Sequence, residues 1–168
     1  KRKVAIYSRV STLHQAEEGY SIGQQIEALT KYCQAMDWVI YDNYSDGGFS
    51  GGKLERPAMQ KMIQDAESGK FDTVIVYKLD RLSRNVRDTL YLVKDVFNAN
   101  NVDFVSLQEN IDTKSAMGNL FITLLSAIAE FEREQIKERM QLGVKGRAKS
   151  GKTTSWATPP FGYKYDTN

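Results

Sequence analysis

Val4, Ile6 and the apolar residues beside them in "KVAIYSRVS" form an almost unbroken run, which predicts a strand buried on both faces. The period then changes. Ile22, Ile26, Leu29, Cys33 and Met36 return at three- and four-residue spacing, the mark of an amphipathic helix over "SIGQQIEALTKYCQAM". Ser21 with Gln24 makes a capping box at its start. "WVIYDNY" reads as a second strand and "SDGGFSGGKLER" as a glycine-rich loop. Pro57 opens a helix running to about Ser68, and Gly69 stops it. "DTVIVY" is a third strand, residues 86–99 a helix and "DFVSL" a fourth strand.

Strands alternating with helices predict an α/β fold with a mainly parallel central sheet flanked by helices. One long C-terminal helix follows from about Ser115. The chain thus divides into an α/β core (1–114), a long helix (115–149) and a closing segment (150–168) that opens as a linker. In parallel sheets ligands bind beyond the carboxyl ends of the strands. "RVS", "SDGGFSGG" and "LDRLSR" follow the first three strands, so these loops are expected to face one another. In the long helix Met117, Phe121, Leu124, Ile128 and Phe131 are spaced 4-3-4-3, a heptad-like stripe. Leu120, Leu125 and Ala127 widen it beyond what one sheet covers, so a seam with a second copy is expected. Beyond Gly143 and Gly146 the helix is not expected to stay straight, since glycine costs ~1 kcal/mol in a helix interior.

Composition adds bounds. At 168 residues, 41% apolar and 26% charged, the chain suits one compact domain plus an appendage, not a disordered segment. A single cysteine, Cys33, rules out an intramolecular disulfide, sits on the buried helix face and fits a reducing cytoplasm. No apolar run reaches the ~18 residues of a membrane span, so no membrane partner is expected. The missing initiator Met and the ending "PPFGYKYDTN" read as a piece of a longer protein. Charge is uneven: residues 1–132 carry 15 basic and 18 acidic side chains. Residues 133–152 carry Arg133, Lys137, Arg139, Lys145, Arg147, Lys149 and Lys152 against only Glu134 and Glu138. A polyanion met by this basic stretch is the expected partner; a solvated helix end is the plainer reading.

The loops carry the candidate chemistry. Arg9 and Ser11 stand two apart at a strand end, so in extended geometry they share a face. An anion held by Arg9 would lie beside the Ser11 hydroxyl, which needs a base or an electropositive setting to act as a nucleophile. The only histidine, His14, is too local for a Ser-His-Asp triad and reads as a loop residue. Arg56, Arg81 and Arg84 add planar donor forks suited to phosphate oxygens. Gathered around one phosphate, such donors offset the charge of a pentacovalent transition state. Asp80 either orients an arginine or carries a proton; the spacing leaves both open. The glycine loop 47–52 either approaches a phosphate backbone or is a surface turn. No His/Cys cluster and no "GxxxxGK[ST]" motif occurs, so neither metal nor nucleotide cofactor is expected. Two rivals remain: a non-catalytic phosphate-binding α/β module and a metal-dependent nuclease.

"YSRVSTLHQ", "SIGQQ", "GFSGGKLERP", "YKLDRLSRN" and "MGNLFITLLSAIAEFERE" together resemble the serine recombinases, the resolvase/invertase family of site-specific DNA recombinases. The resemblance runs in order from about Val4 to Lys152. The long "GFSGGKLERP" loop and "PPFGY" are more similar to large serine integrases of phages and mobile elements than to small resolvases, which implies that 150–168 holds a linker and the start of a DNA-binding domain. The resemblance implies that Ser11 is the nucleophile, forming a 5′-phosphoserine link, with Arg9, Arg56, Arg81 and Arg84 on the phosphate and Asp80 beside them. It places Tyr7, Gln15, Gln25 and Ser50 in supporting positions. Glu132 and Arg133 match a family pair tied to subunit contacts and the approach to DNA. It also implies double-stranded DNA attachment sites, a homodimer on each site, a homotetramer at synapsis, and no metal or ATP.

Overall fold

The computed structural model describes residues 1–10, 21–47 and 56–150. Within them β1 (Lys3–Val10), β2 (Val39–Gly47), β3 (Thr73–Val76), β4 (Asp103–Ser106) and β5 (Ile111–Asp112) form one sheet in the order β2-β1-β3-β4-β5. β1 runs parallel to both β2 and β3, and β3 parallel to β4; β5 alone is antiparallel. The sheet is the mainly parallel α/β sheet that the alternating pattern predicts. β5 has no signature in the hydrophobic pattern, because two residues are too few to show a period.

Side chains alternate across β1 and both faces are covered. Val4 and Ile6 pack with Leu29 and Cys33 of α1 (Ile22–Ala35). Ala5 and Tyr7 face the other way, onto Met59 and Met62 of α2 (Pro57–Glu67). Each such large apolar side chain contributes roughly 1.5–3 kcal/mol by leaving water. The predicted capping box is present: Ser21 Oγ accepts the Gln24 amide at 3.2 Å, and Gln24 Oε1 accepts the Ser21 amide at 2.9 Å. Pro57 occupies the first turn of α2, and Gly69 follows that helix in the left-handed region at φ 65°. Burial pushes the Cys33 thiol up to about 11, as suits a core residue.

Several local expectations are corrected. Met36 is the C-cap of α1 and 48% exposed, one residue past the buried stripe. β2 continues through Ser45, Asp46 and Gly47, residues expected to begin the glycine loop. "LDRLSR" is not all loop: Leu79–Leu82 forms the short helix α3, with Leu82 buried. The helix expected over 86–99 is regular only in α4 (Val86–Leu90). It widens into a π-helical stretch at Tyr91–Phe97 and tightens to a 3₁₀ turn at Asn98–Asn100. The wide turn sets Leu92, Val93, Val96 and Phe97 into the core.

The long helix is α5 (Ala116–Lys149), helical through Gly143 and Gly146. The chain forms two compact units, Lys1–Ala129 and Glu130–Asn168. In the first, Ile122 is buried while Phe121 and Leu125 pack partly against the core. Gly118 lies so close to the turn before α5 that a Cβ there would stand 1.9 Å from the Asp112 carbonyl oxygen. Met117, Leu124 and Ile128 are each more than half exposed. In the second unit, the described residues are all exposed, Phe131 and Glu132 among them.

Candidate active site

From β1 the chain crosses to β2 on one side and later to β3 on the other, so a crevice opens beyond the carboxyl ends of β1 and β3. Arg9 comes from the end of β1, and the Lys78–Arg84 segment follows β3. Arg9 is fully buried, and its Nη2 donates to the Asp80 main-chain carbonyl at 2.9 Å. Its buried Nε and Nη1 have no hydrogen-bond partner among the described residues. Burial lowers the Arg9 pKa, and Arg56, Arg84 and Arg81 depress it further, which places all four guanidiniums within electrostatic reach. A buried cation with unspent donors, surrounded by like charge, is a site shaped for an anion.

Arg56 is buried by a different set of contacts. Its Nη1 donates to the Tyr7 hydroxyl at 2.8 Å and to the Leu82 carbonyl at 3.0 Å. The Tyr7 hydroxyl donates in turn to Asp46 Oδ2 at 3.0 Å. Burial, more than any neighbour, raises the Tyr7 pKa, so Tyr7 is a neutral relay between Arg56 and Asp46. Asp46 accepts the amides of Ala58 and Met59, both at 3.0 Å, and so caps α2. Arg56 stands at the N-cap position and has no acceptor to offer, which is why the cap comes from another strand.

Gln25, buried on α1, donates from Nε2 to the Arg9 carbonyl at 3.2 Å and so braces the end of β1. Asp80 pairs only loosely with its neighbour: its Oδ1 lies 3.7 Å from Arg81 Nε, beyond hydrogen-bond length, and its side chain is 44% exposed. Its main-chain carbonyl, not its carboxylate, holds Arg9. Arg81 is buried and Arg84 exposed. Arg84 lines a cavity of about 510 Å³ with Lys78, Asp80, Ser83, Gln108 and Glu109. Ser11, His14, Gln15, Ser50 and Lys152 lie outside the described residues. Among the described residues no three His, Cys, Asp or Glu side chains gather as a metal-ligand set, and no helix is long and apolar enough to cross a membrane.

The structure thus brings Tyr7, Arg9, Gln25, Arg56, Asp80, Arg81 and Arg84 to one end of the sheet. The basic residues from Arg133 to Lys149 lie exposed on α5, with Arg133 and Lys137 near Glu130 and Glu134 at 3.7 and 3.6 Å. Asp46 carries no signature of its role in the sequence, because it precedes two glycines and reads as loop. The absent acceptor at the start of α2 was the signal that a carboxylate had to come from elsewhere.

The chain matches the family described as "Resolvase, N terminal domain" over residues 4–153. It belongs to the resolvase family. This resolvase-family chain is 38% identical over 162 residues to a "Putative DNA recombinase" of Bacillus subtilis, covering 96% of this chain and 31% of that protein. It is 36% identical to the Transposon Tn917 resolvase of Enterococcus faecalis, covering 87% of this chain and 71% of the relative. The chain therefore spans less than a third of the Bacillus relative. Among solved structures it is similar to the N-terminal catalytic domain of TP901-1 integrase, with 66% identity and a TM-score of 0.74 over 80% of this chain and 98% of that one. A resolvase-family site-specific recombinase from Streptococcus pneumoniae aligns with 34% identity and a TM-score of 0.73, over 89% and 99% of the two chains.

Proposed function

We propose that the protein carrying this chain is a serine site-specific DNA recombinase of the integrase type, and that the crevice at β1 and β3 holds a scissile DNA phosphate. The observation that carries this reading is Arg9: a buried guanidinium with two unpartnered nitrogens, two residues before Ser11, in a resolvase-family chain. The Ser11 hydroxyl gives up its proton and its Oγ bonds to phosphorus. The P–O3′ bond breaks, and the departing 3′ oxygen takes a proton. A 5′-phosphoserine and a free 3′ hydroxyl result, and attack by a 3′ hydroxyl reverses the step. The covalent link conserves the phosphodiester bond energy, so rejoining needs neither ATP nor metal. Each well-placed arginine donor is worth roughly 3 kcal/mol on the charged transition state.

In this reading the stripe Met117, Phe121, Leu124, Ile128, Phe131 and Glu132 packs against further copies, as a dimer on each site and a tetramer at synapsis. The basic residues 133–152 cross phosphates near the cut, giving salt-dependent contact that positions without specifying sequence. Ser11, Gln15 and Ser50 complete the site, in the cytoplasm of a bacterial host.

The test uses the full-length protein with DNA flanking its own gene, in chelator, beside Ser11→Ala. A denaturing gel should show a protein–DNA adduct at a 5′ end with the parent alone. Cleavage abolished by chelator would point to a metal nuclease. Anion binding untouched by Ser11→Ala, with no adduct on any site tried, would point to a phosphate-binding module.

A further inference from the structure

Glu109 lies in the turn between β4 and β5, exposed as a residue, yet its carboxylate is engaged on both oxygens. Oε1 and Oε2 each accept the Leu79 amide at 3.2 Å, and the Ser106 hydroxyl donates to Oε2. Leu79 is the first residue of α3, whose N-cap, Lys78, offers no side-chain acceptor. The opening amides of a helix have no intrahelical partner, and four residues are too few to sustain a helix alone. Ser106, by contrast, is fully buried on β4. The carboxylate therefore ties a short, dependent helix to a buried strand.

What α3 carries makes this tie consequential. The Asp80 carbonyl receives Arg9 Nη2, and the Leu82 carbonyl receives Arg56 Nη1. Two fully buried guanidiniums from different elements are thus aimed by main-chain oxygens of one four-residue helix, which also bears Arg81.

We propose that Glu109 is a positioning residue for the phosphate site: by capping α3 it fixes the carbonyls that aim Arg9 and Arg56. Its effect on strand cleavage rests on the recombinase reading above; its effect on α3 does not. A carboxylate here also favours the helix start electrostatically.

The test compares Glu109→Ala and Glu109→Gln with the parent in the full-length protein. Three quantities are read: amide hydrogen exchange across 78–84, affinity for site DNA, and the single-turnover rate of serine–DNA adduct formation. Glu109→Ala should speed exchange at Leu79–Leu82 by roughly 5- to 10-fold, the scale of a lost cap, with β1 and β3 unchanged. Adduct formation should slow by roughly tenfold, while DNA affinity stays within about twofold. Glu109→Gln keeps an amide oxygen to accept Leu79 and should recover most of both losses. Unchanged exchange at α3, parental cleavage by the Ala variant, or equal damage by Gln and Ala would each overturn the proposal. If the parent forms no adduct, the recombinase reading fails on its own. Exchange at α3 then decides: acceleration by Ala with rescue by Gln supports the tie, and no change refutes it.

Discussion

The Tyr7 hydroxyl donates to Asp46 at 3.0 Å while receiving Arg56 Nη1 at 2.8 Å, so one phenol oxygen links a helix cap to a buried guanidinium. The same carboxylate takes the first free amides of α2. Asp46→Ala should cost about 3 kcal/mol, combining a lost cap with a buried hydroxyl left without its acceptor. Tyr7→Phe keeps the cap and should cost about 1 kcal/mol. The double variant should cost less than the sum, since both singles remove one shared bond. Urea denaturation of the four proteins measures this, and strict additivity would sink the linkage.

Arg9 is held in a setting that opposes its charge, through burial first and then Arg56. An anion should relieve that opposition. Sulfate stabilises any fold through its exclusion from protein surface, and mass action on a native-state site should add to that general gain in the parent. Arg9→Met should keep the general gain and lose the addition, yet be no less stable than the parent in chloride. A variant markedly less stable in both salts would show that Arg9 serves the fold instead.

Gly118 and Gly143 lie on the same helix and should respond oppositely to alanine. At Gly118 the new Cβ meets the Asp112 carbonyl oxygen at 1.9 Å, a main-chain atom with no rotamer to yield. Gly118→Ala should therefore destabilise by at least about 2 kcal/mol despite alanine's better propensity. At Gly143 nothing lies within 4 Å, so alanine should favour the helix by about 1 kcal/mol. Circular dichroism melts of the two variants give the signs directly.

Asp65 supplies an acid-sensitive contribution. Lys70 Nζ at 2.8 Å, with the Tyr44 hydroxyl at 2.6 Å, lowers its pKa below the ordinary carboxylate value. A carboxyl group more acidic folded than unfolded stabilises fully above its unfolded pKa, near 4, and loses that effect as pH falls through the lower folded value. The stability difference between the parent and Asp65→Asn should thus be constant from pH 7 to about 5 and shrink below about 4. A gap that holds steady down to pH 2 would contradict the assignment.

Local chemistry was enough for much of this protein. The two-faced burial of β1, the Ser21–Gln24 box and the Pro57 and Gly69 boundaries each depend on residues a few positions apart, so their physics is written in short stretches. Strand alternation likewise announced a parallel sheet, and with it the end at which Arg9, Arg81 and Arg84 would gather. The supports of the site were not legible in the same way. Asp46 meets Tyr7 across 39 positions, and Glu109 meets Leu79 across 30. Neither has a periodic or motif signature, because a side chain far along the chain supplies what the local segment lacks: an acceptor for α2 behind Arg56, and one for α3 behind Lys78. Which groups can hold an anion follows from residue type and short spacing. Which carbonyls and carboxylates aim them depends on how the elements pack, since a helix start without its own cap takes its partner from whatever the fold brings near.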